Sequence, residues 1–159
     1  MKKIKSFMAI MVAAVTLVLG MNSCSSDSGD ESEAAVANLV AGTYMGTEVL
    51  TVMGEVDEST ETLIFAKTSD TSVEVTLPKY GEGMMTIPAL SVKGIMLTKI
   101  GDTISGKLDK YEGTTDNGKT YVISDIVVLF NDKNVVMTFK MKYGSMPFDF
   151  VGRFTGTKK

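Results

Sequence analysis

The chain has no histidine and no tryptophan, and only one cysteine and one arginine in 159 residues. Without histidine there is no His-based catalytic triad and no His-rich metal centre. A single cysteine leaves no disulfide framework. Without tryptophan the strongest stacking surface for a sugar is missing, although Tyr80, Tyr111, Tyr121 or Tyr143 can substitute. Long apolar runs are also scarce. The longest, Phe7 to Leu19, is broken by Thr16 and spans thirteen residues. A membrane-spanning helix needs about 20.

That run has another reading. It follows a basic start, Met1-Lys2-Lys3-Ile4-Lys5, and ends at Gly20-Met21-Asn22-Ser23-Cys24. A basic head, a short apolar stretch and small residues at its end describe a secretory signal peptide. Ser23 directly before the sole cysteine resembles the lipobox of bacterial lipoproteins, with Met21 in place of the usual Leu. The resemblance implies a signal peptide over residues 1–23, cut before Cys24, which then carries acyl chains. Several chains at about 0.8 kcal/mol per buried methylene hold a protein stably at a membrane, where one would not.

Cleavage there removes Lys2, Lys3 and Lys5, so 13 of the 16 basic residues remain against 19 acidic ones, a net charge near −6. Nucleic-acid binding needs a basic face, so no nucleic-acid partner is expected. Residues 24–33, Cys-Ser-Ser-Asp-Ser-Gly-Asp-Glu-Ser-Glu, are polar and acidic after the cysteine. They cannot bury enough surface to offset ordering entropy and read as a flexible tether. Their acidity resembles the surface-export signal of Bacteroides-type lipoproteins. This implies an outer-membrane lipoprotein facing outward, with a periplasm-facing protein as the alternative.

Residues 34–159 form the expected domain. Residues 33–41 favour a short helix, with Ser32 as N-cap and Gly42 as a left-handed C-terminal residue. Seven turn-rich clusters then separate eight strands, at about 43–53, 60–67, 72–78, 86–98, 103–109, 120–130, 134–143 and 147–157. In the seventh, Val135, Met137, Phe139, Met141 and Tyr143 share one face and Thr138, Lys140 and Lys142 the other. The third repeats this with Val73, Val75 and Leu77. The eighth places Phe148, Phe150 and Phe154 inward and Asp149 and Arg153 outward. Pro88 must sit at an edge, a bulge or the start of the fourth. The sixth, around Ile126-Val127-Val128-Leu129-Phe130, is apolar on both faces and has no readable orientation.

Eight antiparallel strands joined in sequence avoid exposed edges by closing. The expected fold is therefore all-β, an eight-stranded antiparallel up-and-down barrel with a short N-terminal helix. Gly42-Thr43-Tyr44-Met45-Gly46-Thr47 and Gly152-Arg153-Phe154-Thr155-Gly156-Thr157 share the pattern Gly-x-aromatic-x-Gly-Thr, which suggests that they meet at the closing seam. Together with Phe154-Thr155-Gly156 at the end, the opening Ala41-Gly42-Thr43-Tyr44-Met45-Gly46 resembles the calycin-like barrel domain of Bacteroides-type lipoproteins. The wider calycin group, lipocalins included, implies a barrel that holds a small apolar ligand. Tyr44 stands where the lipocalin opening has Trp. Arg153 matches the basic residue that lipocalins set against that Trp, but its parity opposite to Phe154 points it outward.

Chemistry is thinly represented. Any nucleophile would have to take its base from Lys, Asp or Glu, and no Ser-Lys motif stands in a strand-to-helix setting. Asp116-Asn117-Gly118 reads as a turn, not a calcium loop. Asp125 lies inside an apolar strand, as a bulge or rim residue or as a ligand-orienting group. The eight methionines of the domain read as adaptable core or as a permissive binding surface. No enzyme activity, cofactor or metal is expected. A buried Lys or carboxylate with a shifted pKa at the barrel mouth would reopen that question. The leading reading is a non-catalytic barrel, membrane-bound through acylated Cys24, that holds a small apolar or amphipathic ligand along Tyr121, Met137, Phe139 and Met141. A cavity beside that methionine row favours it. A barrel plugged by the row favours the alternative, in which the loops bind an envelope or host protein or inhibit an enzyme.

Overall fold

The computed structural model describes residues 36–159; the leader, Cys24 and the tether lie outside the described residues. A five-residue helix, α1 (Val36–Val40), precedes eight strands: β1 (Gly42–Val52), β2 (Glu55–Ser69), β3 (Ser72–Leu77), β4 (Leu90–Ile100), β5 (Thr103–Thr114), β6 (Thr120–Asn131), β7 (Asn134–Tyr143) and β8 (Phe150–Lys158). Each strand pairs antiparallel with the next, and β1 pairs with β8 to close the barrel. The expected architecture is the one observed.

Alternation sets the core. On β7 the whole row Val135, Met137, Phe139, Met141 and Tyr143 is buried, as are Val73, Val75 and Leu77 on β3. Each large apolar side chain removed from water contributes about 1.5–3 kcal/mol. Tyr44, Phe65 and Phe130 meet edge-on or tilted, with ring centroids 5.0–5.7 Å apart. Such pairs add about 0.5–1.5 kcal/mol beyond their area.

The two Gly-x-aromatic-x-Gly-Thr segments do meet. Gly46 lies opposite Gly156 across the β1–β8 ladder, and Tyr44 and Phe154 are both fully buried. A Cβ on Gly46 would overlap the Thr155 carbonyl, so the close approach of the two strands requires glycine there. Arg153 is on the outer face, as its parity predicts, and the Tyr44 hydroxyl donates instead to the Val40 carbonyl at 2.9 Å.

α1 is too short to persist alone. It is held by its buried Val36, Ala37 and Val40, by that Tyr44 bond, and by the Ala37 N–H donating to the Asp70 carbonyl at 3.1 Å. Gly42 does not act as a left-handed cap. Its φ of 146° belongs to the extended region open to glycine, and it already begins β1.

Several boundaries differ from expectation. The expected turn at 54–59 is mostly strand: the chain turns at Met53-Gly54, and Glu55–Ser59 pair with Val52–Glu48. Likewise β5 runs on to Thr114 rather than ending at 109. Both extensions are polar because they lie at the rim of the core, where the inner face is at most half-buried. β4 begins at Leu90, so Pro88 precedes it. β8 begins at Phe150, leaving Phe148 in the preceding loop, and both rings are half-buried.

Asp125 resolves the orientation of β6. It has a φ of 53°, and the β6–β7 register shifts by one residue between Ser124 and Val127. This is a bulge. Tyr121 and Ile123 face inward before it, and Ile126, Val128 and Phe130 after it. The Asp125 carboxylate is exposed and pairs with Lys140 at 3.0 Å.

Candidate functional site

The two ends of the barrel differ in construction. One carries α1 and the short hairpin turns after β2, β4 and β6. The other, the mouth, carries the β1–β2 turn and the longer segments 78–89, 115–119 and 144–149. At the mouth the wall is uneven. The β4–β5 ladder stops at Met96–Lys107, whereas the β5–β6 ladder continues to Thr114–Thr120. Similarly, β2 pairs with β1 along Glu55–Phe65 but meets β3 only from Ile64 onward.

A cleft of about 360 Å³ occupies the gap between β4 and β5. Pro88, Ala89, Leu90 and Ser91 line one side, Thr114 to Asn117 the other, and Tyr121 the floor. Tyr121 reaches this position because it lies opposite Gly113, where a Cβ would overlap its ring. Its hydroxyl donates to the Ser91 carbonyl at 2.7 Å. Burial, reinforced by Tyr111, pushes the Tyr121 phenol up from its ordinary value. The Asp116-Asn117-Gly118 segment is a turn, with Gly118 N–H donating to the Thr115 carbonyl at 2.9 Å. Among the described residues no cluster of acidic or cysteine side chains could hold a metal ion.

The other residues expected to line a ligand lie deeper. Met137, Phe139 and Met141 point inward and are at most 1 % exposed. Phe139 lies against Gly152, where a Cβ would overlap its ring, and Met137 pairs with Phe154. Met141 lies opposite Ile123, two positions from the Tyr121–Tyr143 pair. The middle of the barrel is therefore filled by the row itself, and of the four expected residues Tyr121 borders the mouth cleft. The remaining methionines do not fill the core: Met45, Met53, Met84, Met85 and Met96 are exposed, and Met146 is half-buried.

One buried group was not singled out from the sequence. Glu48, on the inner face of β1 between Gly46 and Leu50, is fully buried. Its Oε1 accepts the Tyr80 hydroxyl at 3.0 Å, and its Oε2 has no hydrogen-bond partner. Burial pushes its carboxyl up to about 7, against the opposing pull of the Tyr80 bond and with a further push from Glu61. Tyr80 belongs to the 78–89 segment, pinched at its base by the Tyr80–Ile87 bridge. The signal was present in parity: Glu48 is in phase with Tyr44, whose inward position the closing motif already implied.

No protein-family model and no curated protein matches the chain. Among solved structures the fold is similar to "a putative outer membrane protein" from Bacteroides fragilis, with a TM-score of 0.67 and 20 % identity over 79 % of this chain and 53 % of that one. The chain thus spans about half the length of that protein. A redesigned β-barrel aligns with a TM-score of 0.44 and 15 % identity, over 79 % of this chain and 96 % of that one. At 20 % identity the likeness to the Bacteroides fragilis protein is one of fold alone.

Proposed function

We propose that this chain is a non-catalytic binding protein of the cell envelope, tethered to the outer membrane through acylated Cys24, which takes a small amphipathic molecule at the barrel mouth. The cleft floored by Tyr121 carries this reading. It is the size of a small-ligand site and combines an aromatic floor with polar groups from Ser91, Thr115 and Asn117. The resemblance to calycin-like lipoproteins and the Bacteroides fragilis neighbour support the location. The outer wall argues against a barrel that itself spans the membrane. Glu58, Lys107, Lys140, Lys142 and Arg153 are exposed on it, while the inner face is apolar except at Glu48, Glu61 and Asp57 near the mouth. A membrane-spanning barrel has the reverse pattern. Strands of this kind need a separate anchor.

Glu48 meets the condition that reopened an enzymatic reading, yet its surroundings favour binding. Tyr80 covers it, and the neighbouring Glu61 accepts the Ser59 hydroxyl at 3.0 Å without, among the described residues, a further group that orients it. The filled centre favours the second reading, a loop-based protein-interaction module.

The test is titration with the neutral fluorophore N-phenyl-1-naphthylamine. Saturable emission is expected, weakened in Tyr121→Ala and retained when Met137 and Met141 are both changed to Leu. Absence of binding, or binding indifferent to Tyr121, overturns the mouth-ligand reading in favour of the interaction module. Membrane attachment is tested separately: Cys24→Ala moves the protein to the soluble fraction.

A further inference from the structure

Near the mouth, the inner face of the β1–β2 hairpin changes from apolar to acidic. Glu48 pairs with Ser59, and Glu61 pairs with Gly46, so the two acids occupy adjoining inward positions. Asp57 continues the same face toward the rim. Exposure decreases along this lane: Asp57 is exposed, Ser59 and Glu61 are half-buried, and Glu48 is fully buried. Among the described residues neither Glu48 nor Glu61 takes part in an ion pair. The lysines in phase with the inner face, Lys67, Lys99 and Lys158, stand at the opposite end.

A buried carboxylate with a free oxygen and a second acid beside it is unfavourable unless it holds a proton or meets a cation. The group above it is a single side chain. Tyr80 lies outside the barrel ladders, its backbone paired with Ile87, so rotation of its side chain away from Glu48 breaks no barrel hydrogen bond. The tip of that loop, with Met84 and Met85, is exposed.

We propose that this lane binds the protonated amine of a small organic ligand, which enters at the mouth, displaces the Tyr80 hydroxyl and is held by Glu48 and Glu61. The inference rests on the reading that the mouth takes a small ligand, and it assigns the amine to β1 and β2 rather than to the residues that line the Tyr121 cleft. An ammonium carries three donors and no acceptor, which suits a site made of carboxylate oxygens and one hydroxyl. A bare metal ion suits it less, since no set of three acidic ligands converges among the described residues. The titratable groups facing Glu48 are Glu61 from β2 and Tyr80 from the loop; β8 brings only Gly152, Phe154 and Gly156 to that side. The site gains its charge as pH passes through about 7, where Glu48 ionises.

The chain has no tryptophan, so indole emission reports on an added probe alone. The experiment titrates the full chain with tryptamine and with tryptophol, its neutral alcohol counterpart. Tryptamine is expected to bind at least about tenfold more tightly above neutrality, with the preference shrinking below it. Glu48→Gln keeps an acceptor for Tyr80 and should abolish the preference; Glu61→Gln should reduce it. Tyr80→Phe should strengthen amine binding by releasing the covering group. Tyr121→Ala should leave the amine preference in place. Equal binding of the two probes, or an undiminished preference in Glu48→Gln, overturns the inference while the mouth-ligand reading stands. Failure of both probes together with N-phenyl-1-naphthylamine overturns both.

Discussion

The two ends of the barrel are built from the same hairpins but sealed by different means. At the α1 end, Tyr44, Phe65 and Phe130 pack against one another, and the Tyr44 hydroxyl satisfies the last carbonyl of the helix. The closure is apolar and its polar groups are paired. At the mouth, two phenol bonds close the wall: Tyr80 of the 78–89 segment donates to Glu48 on β1, and Tyr121 of β6 donates to the Ser91 carbonyl on β4. That closure leaves a carboxylate oxygen unpaired. One end is organised for stability; the other holds a group in an unfavourable state, as binding sites often do. The burial of Tyr44 pushes its phenol up to about 12, so it remains a donor at any ordinary pH.

The comparison can be broken most forcefully by removing an aromatic ring from each end. Phe130→Ala should cost about 3–5 kcal/mol in urea unfolding, as for a fully buried ring. Phe148→Ala removes a half-buried ring whose centroid lies 5.8 Å from Phe150, and should cost about 1 kcal/mol. Equal losses would mean that the mouth is as firmly packed as the helix end.

A smaller effect comes from pH. Glu48 titrates near 4.5 in the unfolded chain and near 7 in the barrel. Below the lower value both states are protonated, and its contribution to stability is complete. Between the two values only the unfolded chain has lost the proton, so stability falls as pH rises, by about 3 kcal/mol in all. Above 7 the loss is constant. Glu48→Gln should therefore match the wild type at low pH and exceed it in stability above neutrality, as read by urea midpoints across a pH series. A variant that is less stable throughout would place Glu48 among the stabilising residues and erase the contrast.

Tyr44→Phe keeps the ring and removes one hydrogen bond, at a cost of about 1 kcal/mol. The accompanying change should be faster amide exchange at Ala41, whose N–H bonds to Ala37 in α1. The smallest effect is expected outside both ends: removing residues 24–32 should leave the melting temperature unchanged.

Much of this was legible from sequence. Strands β3 and β7 announce their faces because one side is apolar and the other carries charge, and the paired Gly-x-aromatic-x-Gly-Thr segments announce the seam. The expected site residues were less so. Alternation places Met137, Phe139 and Met141 inside, but it cannot distinguish a row that lines a space from one that fills it; the rings packed on Gly152 and the seam decide that. Glu48 escaped notice because β1 has a weak apolar face, with glycine at 46 and a carboxylate at 48 interrupting it. The hairpin arms Glu55–Ser59 and Lys110–Thr114 look like loops because a strand wetted on both faces has no periodic signature.

The bulge at Asp125 has a consequence for how the chain folds. Past it, the outward residues Val127 and Leu129 are nearly as apolar as the inward Ile126, Val128 and Phe130. Hydrophobicity alone barely separates the two reading frames of that half-strand, and a slip of one residue exchanges them. The frame is chosen by a single left-handed residue, a conformation that aspartate tolerates better than most. With residue 125 in extended conformation instead, unbroken alternation from Tyr121 and Ile123 buries Val127 and Leu129 and leaves the Phe130 ring in water. The aromatic cluster at the α1 end would then lack its third member. A chain with Asp125→Val, in which the left-handed conformation is disfavoured, should consequently refold through a competing, mispaired hairpin, whereas deletion of Asp125 leaves Ile123 and Ile126 in one unbroken alternation; Asp125 serves as the chain's frame marker.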